Sequence, residues 1–322
     1  MRTLPAIFDN LALPIIGSPM FIVSNPTLVV EQCKAGIVGS VPALNARPQS
    51  QLDEWISEIR ERLAAYDSQA ATPAAPFAVN LITHKTNARL EQDLEVVIRH
   101  KVPLVITSLG ARPEVNEAIH AYGGIVFHDV INNTFARKAI EKGADGVIAV
   151  AAGAGGHAGV KSPIALIQEI REWFDGPLAL SGAMSTGNAV LAAQALGADF
   201  AYIGSAFIAT HEARAPEEYK QAIVDGNSDD IVYTNLFTGV HGNYLKRSIS
   251  NAGLDPANLP TSEGRDMNFV EGESKAKAWK DVWGAGQGIG VVREVTSAKA
   301  LVARLGEEYH AARHRLGLAN QA

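Results

Sequence analysis

The sequence predicts an α/β fold in which eight parallel strands alternate with helices and close into a (β/α)8 barrel. Short apolar runs alternate with amphipathic segments over the first 210 residues, and eight such rounds can be counted. Gly-Ala-Asp recurs at 143–145 and 197–199, each time just before an apolar run, as expected where a helix ends and a repeated unit returns to its next strand. Eight strands favour a closed barrel over an open doubly wound sheet.

The predicted strands are short apolar runs, several of them rich in β-branched residues. In chain order they occupy residues 14–17, 37–40, 77–81, 104–107, 125–128, 147–150, 178–180 and 200–203. Helical patterns follow at 26–34, 51–65, 88–100, 113–121, 133–142, 164–174 and 187–196, with a short piece after Ser205. Pro163 suits a first helical turn, and Gly143 and Gly197 suit the position just past a helix end.

The alternation stops near residue 211 and does not return before residue 281. We therefore predict a barrel made of residues 1–210 and 281–322, with an inserted, mostly helical subdomain at 211–280 that covers the barrel mouth. Loops longer than about fifteen residues are usually functional or disordered. Four aromatic residues favour an ordered segment here: Tyr233, Phe237, Tyr244 and Phe269. Residues 297–316 form an amphipathic pattern that predicts a helix returning to the barrel wall.

Composition excludes several classes of protein. The chain has 322 residues and a formal net charge of −6, and no basic run is interleaved with aromatics, which argues against nucleic-acid binding. No apolar run is long enough to span a bilayer, and the N-terminal residues lack the apolar core of a signal peptide. The single cysteine, Cys33, excludes an internal disulfide, and the histidines lack metal-ligand spacing. We expect a cytoplasmic protein without a metal site, and homo-oligomer formation stays open.

Residues 153–159, Gly-Ala-Gly-Gly-His-Ala-Gly, form the most informative stretch. They directly follow the predicted sixth strand, at the end of the sheet where barrels bind their ligands. So many small residues indicate a close approach to the backbone, and His157 is the one chemically capable side chain in the turn. The alternative is a tight turn with a solvent-facing histidine.

Other strand ends add candidate binding residues. Pro19, Met20 and Phe21 follow the first strand and offer a rigid backbone with a flat apolar contact. Asn80 ends the third strand and can offer a donor and an acceptor. Asp129 ends the fifth strand beside His128, which we interpret as a core histidine.

The seventh and eighth strands both lead into glycine with hydroxyl residues, in the sequences Ser181-Gly182-Ala183 and Gly204-Ser205-Ala206. In barrels, these two positions commonly bind a phosphate through backbone N–H groups and the start of a short helix. A nucleoside-triphosphate loop is excluded because no Gly-x-x-x-x-Gly-Lys-[Ser/Thr] occurs. The sequence thus predicts a bound phosphate group at the barrel mouth.

Six motifs in this order resemble the nitronate monooxygenase family, formerly called 2-nitropropane dioxygenases. They are Pro-Ile-Ile-Gly-Ser-Pro-Met at 14–20, Phe-Ala-Val-Asn-Leu at 77–81, Gly-Ala-Gly-Gly-His-Ala-Gly at 153–159, Ser-Gly-Ala at 181–183, Gly-Ser-Ala-Phe at 204–207 and Ala-Gly-Gln-Gly at 285–288. The resemblance covers nearly the whole chain and implies a TIM barrel that binds FMN non-covalently. It implies that His157 is the catalytic residue and that Gln287 lies near the flavin ring.

The residue patterns and the resemblance together give one set of candidate cofactor-binding residues: Pro19, Met20, Phe21, Asn80, Asp129, Gly155, Gly156, Ser181, Gly182, Ala183, Gly204, Ser205 and Gln287. The sequence departs from the resemblance at Asp129, where many relatives carry Lys or a small residue, and at Ala183, where some carry glycine. An acid at position 129 would alter the field near the flavin.

The leading hypothesis is an FMN-dependent oxidation of alkyl nitronates, such as propionate 3-nitronate, by dioxygen to a carbonyl compound plus nitrite or nitrate. His157 would act as base or bind the nitronate. One alternative keeps the flavin but makes the protein an NAD(P)H:quinone reductase or an enoyl-acyl-carrier-protein reductase. Another is a non-catalytic flavin-binding module. His241 in the insertion is interpreted as a surface loop histidine rather than a site residue.

Overall fold

A computed structural model describes residues 4–261 and 281–318 and confirms the predicted barrel. The eight parallel strands are β1 (Ile15–Gly17), β2 (Gly39–Pro42), β3 (Phe77–Ile82), β4 (Leu104–Ser108), β5 (Ile125–Val130), β6 (Gly146–Val150), β8 (Leu178–Ser181) and β9 (Phe200–Ile203). They follow the order β1-β9-β8-β6-β5-β4-β3-β2. A parallel bridge between Ile16 and Val38 joins the two ends of this sheet, and the Gly17 N–H donates to the Val38 carbonyl at 2.7 Å.

Helices alternate with these strands as predicted. They are α1 (Pro26–Lys34), α2 (Gln51–Asp67), α3 (Leu90–Arg99), α4 (Pro113–His120), α5 (Asn133–Glu141), α6 (Pro163–Arg171), α7 (Gly187–Leu196), α8 (Ser205–Ile208) and the C-terminal α11 (Ala298–Arg315). Side-chain caps begin two of these helices: the Asn25 side chain accepts from two N–H groups at the start of α1, and the Thr186 side chain accepts from the Ala189 N–H at the start of α7. Strand β2 begins two residues later than predicted because Val38 forms only the bridge to β1.

Residues 211–261 contain more strand than the sequence predicted. The segment has the helices α9 (Glu217–Asp225) and α10 (Lys246–Asn251), but between them lies an antiparallel pair, β10 (Ile231–Thr234) and β11 (Gly242–Leu245). Strand β11 also pairs with β7 (Gly156–His157), a two-residue strand from the glycine turn. The expectation of a mostly helical segment therefore needs correction for this hairpin. Residues 262–280, including Phe269, lie outside the described part of the chain.

The amino end of the barrel is closed by aromatic packing. A short 3-10 helix, Ala6–Phe8, places the Phe8 ring 4.7 Å from Phe200 and 5.8 Å from Phe127, centroid to centroid. All three rings are buried in a cluster that fills the barrel interior. Because this end is filled, space for a ligand is left at the carboxyl ends of the strands.

Two further residues behave as the sequence indicated. Cys33 is buried in the layer between α1 and the barrel, and burial raises its pKa to about 12. His128 is buried with its Nδ1 atom 2.6 Å from the Thr107 hydroxyl, and burial lowers its pKa to about 4. None of the described helices combines the length and the apolarity needed to cross a membrane.

Candidate functional site

A cavity of about 1100 Å³ occupies the carboxyl-terminal mouth of the barrel. The loops after most of the barrel strands contribute to its wall, together with residues from the segment that follows α8. Nearly all of the predicted site residues line it: Pro19, Met20, Phe21, Asn80, Asp129, Gly155, Gly156, His157, Ser181, Gly182, Ala183, Gly204 and Ser205. The barrel thus brings together side chains that are up to 186 residues apart in sequence, from Pro19 to Ser205.

Gln287 is the exception among the predicted site residues. Its side chain is exposed and lines a smaller neighbouring cavity behind Ala183, while its backbone N–H donates to the Gly153 carbonyl at 2.9 Å. The motif around Gln287 has a clear packing role instead. A Cβ on Gly286 would lie 2.5 Å from the Gly153 carbonyl, and a Cβ on Gly155 would lie 2.8 Å from the Gly286 nitrogen. The two glycine segments are therefore small because they contact each other.

His157 is positioned by the segment that follows the barrel strands. Strand β7 pairs with β11 through Gly242, and a Cβ on Gly242 would lie 2.7 Å from the Gly156 carbonyl. The Nε2 atom of His157 lies 2.9 Å from the Thr238 hydroxyl oxygen. That hydroxyl donates to the Val240 carbonyl at 2.9 Å, so its oxygen accepts the hydrogen from Nε2. The neutral ring then carries its lone pair on Nδ1.

Burial lowers the pKa of His157 to about 4. The imidazole is therefore neutral near pH 7 in the absence of a ligand. A neutral imidazole with a fixed tautomer can accept a proton or a hydrogen bond at Nδ1. An anion placed beside the ring would favour the imidazolium and raise this pKa.

A chain of hydrogen bonds joins side chains from three neighbouring strands, β3, β4 and β5, on the cavity wall. The Asn80 amide donates to the Ser108 hydroxyl at 2.8 Å and to the Ile106 carbonyl at 3.0 Å. Ser108 in turn donates to Asp129 Oδ2 at 2.6 Å. The order Asn80, Ser108, Asp129 follows β3, β4 and β5, so adjacent parallel strands place these side chains in reach of one another.

Asp129 carries the most perturbed carboxyl group of this wall. Burial raises its pKa to about 6, and the hydrogen bond from Ser108 opposes this shift. Its Oδ1 atom is buried and has no hydrogen-bond partner among the described residues. The nearby phenol of Tyr202, also on the cavity wall, has a raised pKa because of burial and the Asp129 charge. Oδ1 can therefore bind a ligand, as an acceptor when the carboxyl is ionised and as a donor when it is protonated.

The two glycine turns at the ends of β8 and β9 were predicted to bind a phosphate through backbone N–H groups, and the structure shows which of these groups are already used within the protein. Gly182 and Ala183 both adopt positive φ angles, 142° and 54°, and a Cβ on Gly182 would lie 2.7 Å from the Ala152 carbonyl. The Ala183 N–H was expected to be offered to a phosphate, but it donates to the Gly153 carbonyl at 3.2 Å. Gly204 leads into α8, where the Phe207 N–H donates back to the Gly204 carbonyl at 2.8 Å. The N–H groups of Ser205 and Ala206, at the very start of the helix, have no partner within it.

Several residues of the cavity wall were missed by the sequence reasoning. Ser108 is the last residue of β4, so its position at a strand end was an available signal. Thr238 had no such signal, because its contact with His157 depends on a pairing between distant segments. His241 is exposed and stacks on Tyr233, with ring centroids 5.0 Å apart, in agreement with its interpretation as a surface histidine.

Comparison with known proteins decides the family. The family model described as nitronate monooxygenase matches residues 6–308. The chain belongs to the nitronate monooxygenase family. It is accordingly an oxidoreductase, and the match spans both the barrel and the segment that holds Thr238.

Individual relatives agree with this assignment. A nitronate monooxygenase from Neurospora crassa is 29% identical over 335 residues, covering 91% of this chain and 88% of the relative. A solved nitroalkane oxidase from Streptomyces ansochromogenes is 25% identical with a TM-score of 0.78, covering 97% of this chain and all of that one. FabK from Thermotoga maritima, in its M276A form, has the same fold at 24% identity and a TM-score of 0.77, covering 97% of this chain and 96% of that one.

Proposed function

We propose that this protein binds FMN in the barrel mouth and oxidises alkyl nitronates, such as propionate 3-nitronate, with dioxygen. The products would be a carbonyl compound and nitrite or nitrate. The observation that carries the proposal is the position of His157 on the cavity wall of a chain from the nitronate monooxygenase family, in which flavin dependence is general.

The residues of the cavity fit a flavin on three counts. The volume of about 1100 Å³ lies at the upper end of the range for ligand sites and exceeds what a small nitronate needs. Asp129 Oδ1 is a buried polar atom that awaits a partner. The Gly204–Ser205 turn at the start of α8 would hold the phosphate, with Gly182 beside it. The flavin would accept electrons from the substrate and pass them to dioxygen.

The protein's side chains would bind the substrate and, where the substrate is a neutral nitroalkane, remove its α-proton. With Nε2–H held by Thr238, Nδ1 of His157 can take the α-proton from a neutral nitroalkane. When the substrate is already a nitronate, its negative charge favours a protonated ring, which then binds the nitronate oxygens. The base role needs the neutral tautomer with hydrogen on Nε2, whereas the protonated ring donates from Nδ1 to the nitronate and from Nε2 to Thr238. Both roles place the reacting carbon next to His157.

Replacing His157 by Asn tests this proposal. We expect His157→Asn to retain its flavin and to lose nitronate turnover by on the order of 100-fold or more in kcat/KM. His241→Asn is the matched control, since His241 lies on the same pairing but outside the cavity, and its effect should stay within about twofold. A His157→Asn protein with its flavin and full turnover would refute the role of His157.

The second candidate is a reductase that uses NAD(P)H with a quinone or an enoyl thioester. Two observations support this candidate: the chain shares its fold with FabK, and the cavity is larger than a nitronate requires. Steady-state oxidation of NADH, measured separately with a quinone and with an enoyl thioester, would support it if the rate exceeds nitronate turnover. Absence of turnover with every donor would instead indicate a flavin-binding module without catalysis.

A further inference from the structure

The cavity wall has the opposite charge to the molecule as a whole. The chain carries a formal net charge of −6. Among the described residues that line the cavity, however, three are arginines (Arg47, Arg89 and Arg214) and one is an acid, Asp129. A cavity lined by positive charge attracts anions, and its low-dielectric walls strengthen the attraction.

The three arginines differ in the number of hydrogen bonds and ion pairs that they form within the protein. Arg89 is committed to the fold, because it pairs with the buried Asp93 at 3.0 Å and donates to the carbonyls of Ala43 and Ala46. Arg47 is exposed, lies 5.3 Å over the ring of Phe21 and donates from Nε to a neighbouring carbonyl. No acid within residues 4–261 and 281–318 pairs with it.

Arg214 is the second of the cavity-lining arginines that has no acidic partner among the described residues. Its side chain is exposed on the cavity wall, and its backbone N–H donates to the Val23 carbonyl at 2.9 Å. Arg47 and Arg214 therefore both contact the same short loop, Arg47 at Phe21 and Arg214 at Val23.

This loop is held rigidly. Ile22 has a φ of 58°, a left-handed and strained conformation that a β-branched residue rarely adopts. The buried Asn45 stabilises it by accepting the Ile22 N–H at 2.8 Å and donating to the carbonyls of Met20 and Ser24, both at 2.9 Å. Strain retained at a cavity rim is typical of binding sites.

We propose that Arg47 and Arg214 bind an anionic group, a carboxylate or a phosphate, that the substrate carries on a tail away from its reacting carbon. The inference rests on the proposed function in that the reacting carbon lies beside His157. Propionate 3-nitronate already carries such a carboxylate; what is new is that Arg47 and Arg214, at the rim, would bind it, and that a phosphorylated tail would be bound in the same place. Planar guanidinium groups suit both oxyanions through paired N–H donors.

The test is a binding measurement on the flavin-loaded protein, so it does not require turnover. Calorimetric titration would use two anionic probes, 3-nitropropionate for a short carboxylate tail and coenzyme A for a long phosphorylated tail, with pantetheine as the uncharged probe. We expect Arg47→Gln and Arg214→Gln each to raise the Kd of one anionic probe at least tenfold. The Kd for pantetheine should change less than twofold.

Arg293→Gln is the matched control. It removes the same charge, but Arg293 is exposed and lies outside the cavity. It should leave every Kd within about twofold. A loss seen with 3-nitropropionate identifies a carboxylate tail, and a loss seen with coenzyme A identifies a phosphorylated one. The proposal is overturned if the wild-type protein binds neither anionic probe, or if both Kd values are unchanged in the Arg47 and Arg214 variants. Release of the flavin by these variants, with probe affinity intact, would assign the arginines to the cofactor instead and also overturn it.

Discussion

At the residue scale, Asp129 couples the cavity to pH. Its pKa in the folded protein is about 6, against an ordinary value of 3.8, because the carboxyl is buried beside Tyr202. Between these two values the unfolded chain releases its proton before the folded protein does. The free energy of unfolding therefore falls as pH rises from about 4 to 6, by up to about 3 kcal/mol from this group.

We expect Asp129→Asn to remove this fall, because an amide does not titrate and can still accept from Ser108. Urea unfolding at pH 4.5 and at pH 7.5 would measure it. Asp53→Asn is the control: the hydrogen bond from His100 lowers the pKa of Asp53, so its contribution is lost only on acidification below the ordinary value of 3.8. This variant should keep the wild-type fall between pH 4.5 and pH 7.5. An Asp129→Asn protein with the same pH dependence as wild type would contradict the account of this carboxyl.

Single residues also show what a sequence can and cannot reveal about a site. Asn80, Asp129 and His157 were predictable because each lies in the carboxyl-terminal half of an apolar strand or in the loop that follows one, where barrel ligands bind. Thr238 was not, because its role comes from a hydrogen bond across 81 residues of chain. Gln287 was assigned through resemblance alone, and its motif serves the packing of Gly286 on the glycine turn.

At the element scale, α11 is fixed to the barrel through close contact with α7. A Cβ on Gly187 would lie 2.1 Å from the Leu305 carbonyl, and Tyr309 donates to Gln194 at 2.6 Å. We expect Gly187→Ala to destabilise the protein by about 1–3 kcal/mol because the two helices must separate. Thermal unfolding monitored by circular dichroism would measure the change.

Gly306, on α11 itself, is the matched control. A Cβ there would meet Leu13 at an ordinary 3.7 Å, and alanine suits a helix interior better than glycine. Gly306→Ala should therefore be neutral or stabilising by about 0.5–1 kcal/mol. Equal destabilisation by both substitutions would contradict the proposed contact between α7 and α11.

Elements were predictable where local pattern decides them. The eight barrel strands and their helices follow from apolar runs and caps, and the observed bounds of α1 and α7 equal the predicted ones. The hairpin of β10 and β11 was missed because four-residue strands carry little periodicity and β7 pairs with a segment more than 80 residues away. That hairpin is nevertheless what orients His157.

At the scale of the whole molecule, the barrel separates stability from chemistry. Phe8 packs against Phe127 and Phe200 inside the barrel, and none of these three rings lines the cavity at the carboxyl end. We expect Phe8→Ala to lower the free energy of unfolding by about 3 kcal/mol through the lost packing, without changing kcat/KM for a nitronate. Phe135→Ala, at an exposed ring on α5, should cost little. A large loss of kcat/KM in the folded Phe8→Ala protein would contradict this separation.

For the whole molecule we propose that FMN held at the barrel mouth would accept electrons from a nitronate bound beside His157. Anaerobic mixing of the purified protein with propionate 3-nitronate, followed by visible absorbance and run in parallel with NADH, tests it most directly. We expect the purified protein to show the absorbance of a bound oxidised flavin. The nitronate should bleach this absorbance rapidly, and NADH should bleach it slowly or not at all. A colourless protein, or a flavin bleached by NADH and untouched by the nitronate, would contradict it.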